Sequence, residues 1–572
     1  MLRLTWVQPE DLLGHELRQA AQDGREAGAI AARWRAAGGA PAPDRAGASP
    51  RPASRYLRQL AEDLLDELAD LPGRLADSEP TDLARIRASC PDWPAPPTGG
   101  SAVPPAAALE AAWLGRAAGC LLGKPVEKLP LDAIRLLGRA SGAWPPAGYF
   151  TARGVPAELL AAHPWNRRSA TTSLAENIDG MPEDDDLNYP LLNLLLLRRH
   201  GRDFTTRDVA ALWLDELPAG RTFTAERVAY RNLLSGVEPP RTARLRNPFR
   251  EWIGALIRAD VHGWTNPGDP AAAAAQAHRD ATLTHTANGV YAAMFIAAVI
   301  AAAAGGPAVG MAVSARGTGS PADSSTVPAD GTRSPAGSTG TSVDAGLAGP
   351  PAPAGAIAAD GGAGPAGTTA LAGAPRDAGS AGGTGAAGRV GPAGPTAGAG
   401  VPGPATGAGV PSPATGAGAG GRGGSAVHDC LRAGLAVVPN GSRLARAVRE
   451  AIRLARAHDD FDDVVDALHA RHAGTYHWVH AIPNAALIAA ALTHADGDFD
   501  GSIRRAVSGG WDTDSNGATA GSIAGLLAGS PAALPERWTA PLKNRLASSV
   551  ADFDGVGFDT LAHLTHLEAS RP

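Results

Sequence analysis

The sequence predicts an all-α fold, with an N-terminal helical extension and a long disordered insertion. Three observations carry this. Ala/Leu-rich stretches recur with a period near 3.6, as in "RLARAVREAIRLARAH" (443–458) and "NAALIAAALTHA" (484–495). Strand signals are weak throughout: few stretches alternate with β-branched residues, and aromatics make up only 5% of the chain. The 71 glycines and 48 prolines of the 572 residues are concentrated in one region. The foldable part is therefore shorter than the length suggests.

Taken in order, residues 1–105 form the extension. Helical patterns lie in "PEDLLGHELRQAAQDGREAGAIAARWRAA" and "SRYLRQLAEDLLDELADL", joined by the linker "GGAPAPDRAGASPRPAS". A second Pro/Gly/Ser stretch, "PDWPAPPTGGSAVPP", covers 91–105. Helical signals are dense over 106–305. Residues 306–426 are almost wholly Gly, Ala, Pro, Ser and Thr, with near-repeats such as "GAGVPGPATGAGVPSPATGAGAG". Such a segment cannot offset the entropy of ordering a chain and is read as disordered. Patterned sequence resumes near Val427 and continues into 427–572.

Composition excludes several classes. A net charge of −6 argues against a nucleic-acid binder held by a basic face. The three cysteines, Cys90, Cys120 and Cys430, are odd in number and far apart. They make neither a disulfide framework nor a zinc set, and they fit a reducing compartment. The first twenty residues carry Trp6, Pro9, Glu10 and Asp11 where a secretion signal needs an apolar run, so a cytoplasmic location is expected. "GVYAAMFIAAVIAAAAGGPAVGMAV" (289–313) is long enough to cross a bilayer. It is mostly Ala and Gly, is broken at Gly305-Gly306-Pro307, and has no flanking basic cluster. It reads as a buried helix ending near Ala304, and no membrane partner is expected.

Two acidic clusters carry the chemistry. In "GMPEDDDLNYPLLNLLLLRRHG", Glu183, Asp184, Asp185 and Asp186 precede an apolar helix. Pro190 fits only the first turn of a helix, so the acids lie in the preceding loop or first turn. Capping explains one or two of them. Four in a row repel unless they share a cation, and clustered carboxylates suit a hard ion such as Mg²⁺. In "SGGWDTDSNGATAGSIAG", Asp512 and Asp514 stand at i and i+2 and converge only from a loop or helix start. Ser515 adds a hydroxyl. The plain alternative is a tight turn with an Asp cap. Together the clusters read as two halves of a dinuclear Mg²⁺ site. Gly517, Gly521 and Gly525 are expected to let this helix pack beside the one carrying Asp184–Asp186. Gly115, Gly119 and Gly123 in "AAWLGRAAGCLLGKPVEKLP" make a second bare stripe for close helix packing, with Glu127 at its end. "DATLTHTANGVYAAMF" sets His285 between two threonines, followed by Asn288 and Gly289. "GTYHWVHAIPNAAL" places two histidines, Tyr476 and Trp478 around a helix start.

In this order the motifs resemble the ADP-ribosylglycohydrolases, the group that includes the dinitrogenase-reductase-activating glycohydrolase. The resemblance spans 106–305 and 427–570. "GRAAGCLLGKPVE" is similar to the family's first helix and glutamate. "PEDDDLNY" stands where the family has Thr-Asp-Asp-Thr, and "THTANGVYAA" looks like its middle His motif. "GGWDTDSNGATAGSIAG" is similar to its Gly-Gly-Asp-Thr-Asp-Thr motif. The resemblance implies a single orthogonal multi-helix bundle, two Mg²⁺ ions (Mn²⁺ as a substitute), and cleavage of a glycosidic bond of ADP-ribose. It implies metal ligation by Asp184, Asp185, Asp186, Asp512, Asp514 and Ser515, with Glu183 the alternative to Asp186. Catalytic roles fall to Glu127, Asp185 and Asp512. Contacts to ADP-ribose fall to His285, Asn288 and Gly289. The expected substrate is an ADP-ribosylated protein or small molecule, nucleic acid entering only as a modified substrate. Acids in place of the family's threonines leave two alternatives: a non-catalytic ADP-ribose-binding or structural relative, and a hydrolase of another N-glycosidic linkage.

Overall fold

The computed structural model describes residues 3–98, 102–142, 144–306 and 426–571. Helix accounts for 61% of the described residues, and among them the only β pairing is three isolated bridges. The disordered insertion expected over 306–426 falls almost wholly outside the described residues. Helices flank it directly: Ala287–Ala304 before it and Ala426–Ala436 after it.

Four helices form the centre: Ala106–Gly123, Ala287–Ala304, Ala481–His494 and Thr513–Ala528. Each is Ala-, Gly- or Leu-rich on every face and buried nearly throughout, as a helix without a polar side must be. The Ala287–Ala304 helix is the membrane-like stretch of the sequence; it is a core helix and stops at Ala304 as expected. Amphipathic helices such as Leu131–Ala140 and Arg443–Ala457 cover the outside.

The closest approach is between Ala106–Gly123 and Thr513–Ala528. Their glycine stripes face each other: a Cβ on Gly521 would lie 2.7 Å from the carbonyl carbon of Gly115, and one on Gly517 2.8 Å from that of Gly119. This corrects one expectation. The Gly517/Gly521/Gly525 stripe meets the other glycine stripe, not the Asp185–His200 helix. Only two bare faces allow backbone to pack on backbone, and the sequence contains two such stripes.

The N-terminal extension is docked on this bundle by buried polar contacts. The first sequence pattern is two helices, Pro9–Gln22 and Gly28–Ala36, because Gly24 takes a φ of +69° between them. Arg250 pairs with Glu16 and Asp23, each at 2.7 Å. Glu79 accepts from Arg443 at 2.6 Å and from Asn288 at 2.7 Å. Trp6 packs edge-on against Phe249 and Trp252, with ring centroids 5.6 and 5.9 Å away.

Candidate metal centre and cleft

Two helix starts and one helix end converge on a cleft of about 620 Å³. The Asp185–His200 helix brings Asp184 as its N-cap, with Asp185 and Asp186 in its first turn. The Thr513–Ala528 helix brings Asp512 as N-cap, then Asp514 and Ser515. The Ala106–Gly123 helix runs through a 3₁₀ turn, Lys124–Val126, and delivers Glu127.

Pro190 is the sixth residue of its helix, not in the first turn as the sequence reading placed it. A proline there removes the bond that the Asp186 carbonyl would accept. Arg116 replaces it: its Nε donates to Asp186 O at 2.6 Å. The same guanidinium reaches Asp186 Oδ1 at 3.3 Å and Asp260 Oδ2 at 3.0 Å. Arg116 is fully buried in a helix whose other charge, Glu110, is only partly buried near its start. A charge set among Ala, Gly and Leu was the signal by which its role was findable.

The second acidic loop is built differently. Gly510 and Trp511 have φ of +74° and +57°, which turns the chain sharply. Trp511 stacks on His469 with centroids 4.1 Å apart. Asn484, which sequence reasoning missed, accepts from Asp512 N at 3.2 Å and from Asn516 Nδ2 at 2.7 Å. Thr513 Oγ1 donates to Gly123 O at 2.8 Å, tying the loop to the Glu127 turn. Asp512 occupies the N-cap position, yet its side chain makes no capping bond. The plain reading of that acid as a cap therefore fails.

Two groups of ligand atoms result, each with members within 4.8 Å of one another: Cys120, Asp184 and Asp186; and Glu127, Asp512 and Asp514. Ser515 Oγ donates to Asp186 Oδ2 at 3.2 Å, linking residues 329 positions apart. Glu183 lines the cleft but turns to Arg221 at 2.9 Å and Asn188 at 2.8 Å. Burial, then the carboxylates of Asp184 and Asp186, push the Asp185 carboxyl well up. Burial, then Asp514 and Glu127, do the same to Asp512. Asp514 is pushed up to about 7 by burial and by Glu127 and Asp184. Burial also opposes ionisation of Asp184, but the Lys124 ammonium outweighs it and holds that carboxyl low. Oxygen donors crowded so that burial and neighbouring carboxylates oppose their ionisation fit a hard divalent cation, which relieves the repulsion.

His285, Asn288 and Gly289 are not brought to the cleft. His285 is fully buried, with Nδ1 bonded to Thr284 Oγ1 at 2.6 Å. Asn288 spans Glu79, Glu251 and the Leu444 amide. Gly289 faces the Arg250 carbonyl, 2.6 Å from where a Cβ would stand. These residues hold the core and the extension together. Their polar pattern reads the same in sequence whether it meets a ligand or a buried protein network. The cleft wall is made instead by Phe223, Ile253, Trp478, the rim cations Lys128, Arg168 and Arg221, and Trp6 of the extension.

The sequence profile of the ADP-ribosylglycohydrolase family matches residues 104–324 and 372–567. The chain belongs to the ADP-ribosylglycohydrolase family. The profile's first segment includes Glu127 and the Asp184–Asp186 run, and its second includes Asp512–Ser515, so the whole acidic centre lies within matched sequence. Trp6 lies outside it. Among solved structures, one described as an ADP-ribosylglycohydrolase-related protein complex aligns over 81% of this chain and 97% of its own, at 16% identity and a TM-score of 0.37. No curated protein matches the chain.

Proposed function

We propose that this chain is a Mg²⁺-dependent hydrolase that cleaves the glycosidic bond at the distal ribose of an ADP-ribosylated protein or small molecule and releases ADP-ribose. Mn²⁺ meets the same oxygen-donor requirement. The observation that carries the reading is the convergence of Asp512, Asp514, Glu127 and Asp185 on one cleft of a family member. Glu127, Asp512 and Asp514 would hold the ion. A bound divalent ion supplies Lewis-acid polarisation of a coordinated hydroxyl or water. Asp185 projects from the first turn of its helix into the cleft, and a carboxyl raised by burial and by Asp184 and Asp186 suits it to take up and pass on a proton. Asn166 Nδ2 donates to Glu127 Oε2 at 2.6 Å, and Lys128 lies 2.7 Å from Oε1, which orients that carboxylate. The carboxylate-rich floor favours the positive charge of an oxocarbenium-like transition state. Arg168, Arg221 and Lys128, which line the cleft, would meet a diphosphate, and Trp6, Phe223 and Trp478 would meet a base. The three buried free cysteines accord with a cytoplasmic setting.

Product analysis on several ADP-ribosylated substrates with Mg²⁺ tests this. Asp512→Ala and Asp514→Ala should each lose roughly 100-fold or more of the activity, the several kcal/mol such an ion contributes. Wild-type turnover with both variants fully active would sink the mechanism. Binding of ADP-ribose without turnover would favour the non-catalytic alternative.

A further inference from the structure

The family resemblance implies two divalent ions, but the two halves of the centre are not alike in charge. Both oxygens of Asp184 are used by the protein. Oδ1 accepts from the Asp186 amide at 2.9 Å, and Oδ2 accepts from the Lys124 ammonium. Both oxygens of Asp186 are used as well: Arg116 Nη2 lies 3.3 Å from Oδ1, and Ser515 Oγ donates to Oδ2. Cys120, the third member of this half, is a fully buried thiol whose Sγ lies 3.9 Å from Asp186 Oδ2. Two carboxylates here face two cations from the Ala106–Gly123 helix and the turn after it. Both cations are buried: Arg116 is 0% exposed and Lys124 6%.

The other half is short of positive charge. Among the described residues, Asp185, Asp512 and Asp514 have no basic side chain within ion-pair distance, and only Glu127 is paired, with Lys128. Burying that many like charges together is unfavourable unless a cation joins them. Lys124 is fixed in place because Gly123, before it, abuts the Thr513 and Asp514 backbone, and Pro125 follows.

We propose that the Lys124 ammonium holds one of the two cation positions, so that the centre takes a single divalent ion, on the Glu127, Asp512 and Asp514 side. This rests on the metal-dependent reading above. The surplus acids of "EDDD" need no second ion either, because Asp186 faces Arg116 and Glu183 faces Arg221. A protein-borne cation does not exchange, so this half keeps its shape whatever the metal concentration.

The test is a count of bound ions. The full chain, stripped with chelator, is titrated with Mn²⁺, and free Mn²⁺ is read by electron paramagnetic resonance. Elemental analysis after gel filtration supplies a second count. We expect one ion per wild-type chain, and two in Lys124→Met, where Asp184 is left without its partner. Two ions in the wild type would overturn the inference, as would one ion in a folded Lys124→Met protein. No bound ion would overturn the metal reading itself and this inference with it. Should Lys124→Met fail to fold, the wild-type count decides alone.

Discussion

Gly521→Ala separates close packing from helix propensity, because the two effects have opposite sign. In a helix free of tertiary contact, alanine for glycine stabilises by about 1 kcal/mol. At Gly521 the new Cβ would stand 2.7 Å from the Gly115 carbonyl carbon and 3.2 Å from Ile503 Cγ2. Carbon atoms pack at about 3.5–4.0 Å, so the two helices must part by about 1 Å. The obstacle is backbone, which has no alternative rotamer to adopt. Overpacking of this kind costs about 1–3 kcal/mol, and more where backbone must move. We therefore expect a net loss of about 2 kcal/mol. The helices also carry Glu127 and Asp512–Ser515 at adjoining ends, so a 1 Å separation spreads the ligand set and should weaken Mn²⁺ binding roughly tenfold or more. Chemical denaturation followed by circular dichroism, with and without Mn²⁺, reads both effects. Gly28→Ala is the control, since a Cβ there meets nothing within 4 Å. A Gly521→Ala protein as stable as wild type, or more so, would refute the backbone-contact argument.

Other outcomes follow from the same geometry. Trp6→Ala should raise KM about tenfold with little change in kcat, the value of one base–aromatic stack, while Trp6→Phe keeps most of the affinity; an unchanged KM would remove Trp6 from the substrate wall. His15 should contribute a loss of stability on acidification below pH 6.5. His15 is pushed down to about 3 by burial and by Arg18, with only Asp44 opposing, and the rings of Trp6, Phe249, Trp252 and His477 enclose it. The unfolded chain then takes up the proton first, so each pH unit between 6.5 and about 3 costs about 1.4 kcal/mol, or about 2 kcal/mol at pH 5. His15→Asn should flatten that slope by one proton, measured as denaturation midpoints across pH; an unaltered slope counts against it. Deleting 310–424 should leave a folded, Mg²⁺-binding protein, because the flanking helices are themselves packed: a Cβ on Gly434 would lie 2.5 Å from Val299 Cγ2 and 2.7 Å from Phe295. Loop closure depends only logarithmically on length. Thermal melts with and without Mg²⁺ check this, and an unfolded deletion product defeats the split-domain reading.

Fold class and acidic motifs were legible because each is a local property. The 3.6 period of "RLARAVREAIRLARAH" is enforced by which face of one helix is buried, and the structure has that helix at Arg443–Ala457. Asp512-Thr-Asp514 is unusual for a core segment wherever it sits. Helix ends were less legible. Pro190 argued for a start close by, but the rule assumes an unsatisfied carbonyl, and Arg116, 74 positions away, supplies the donor.

What the sequence determined by itself was therefore the inventory: helices, two glycine stripes, two acidic clusters, and a family whose motifs contain them. Which groups meet was decided only by the tertiary structure. It matched one glycine stripe to the other and withdrew His285, Asn288 and Gly289 into a buried network. It brought Trp6 from outside the family's matched span into the cleft, and it set Lys124 on Asp184. Periodicity and composition report how each residue meets its own helix. Contacts across tens to hundreds of positions depend on how the helices pack, and no local pattern encodes that.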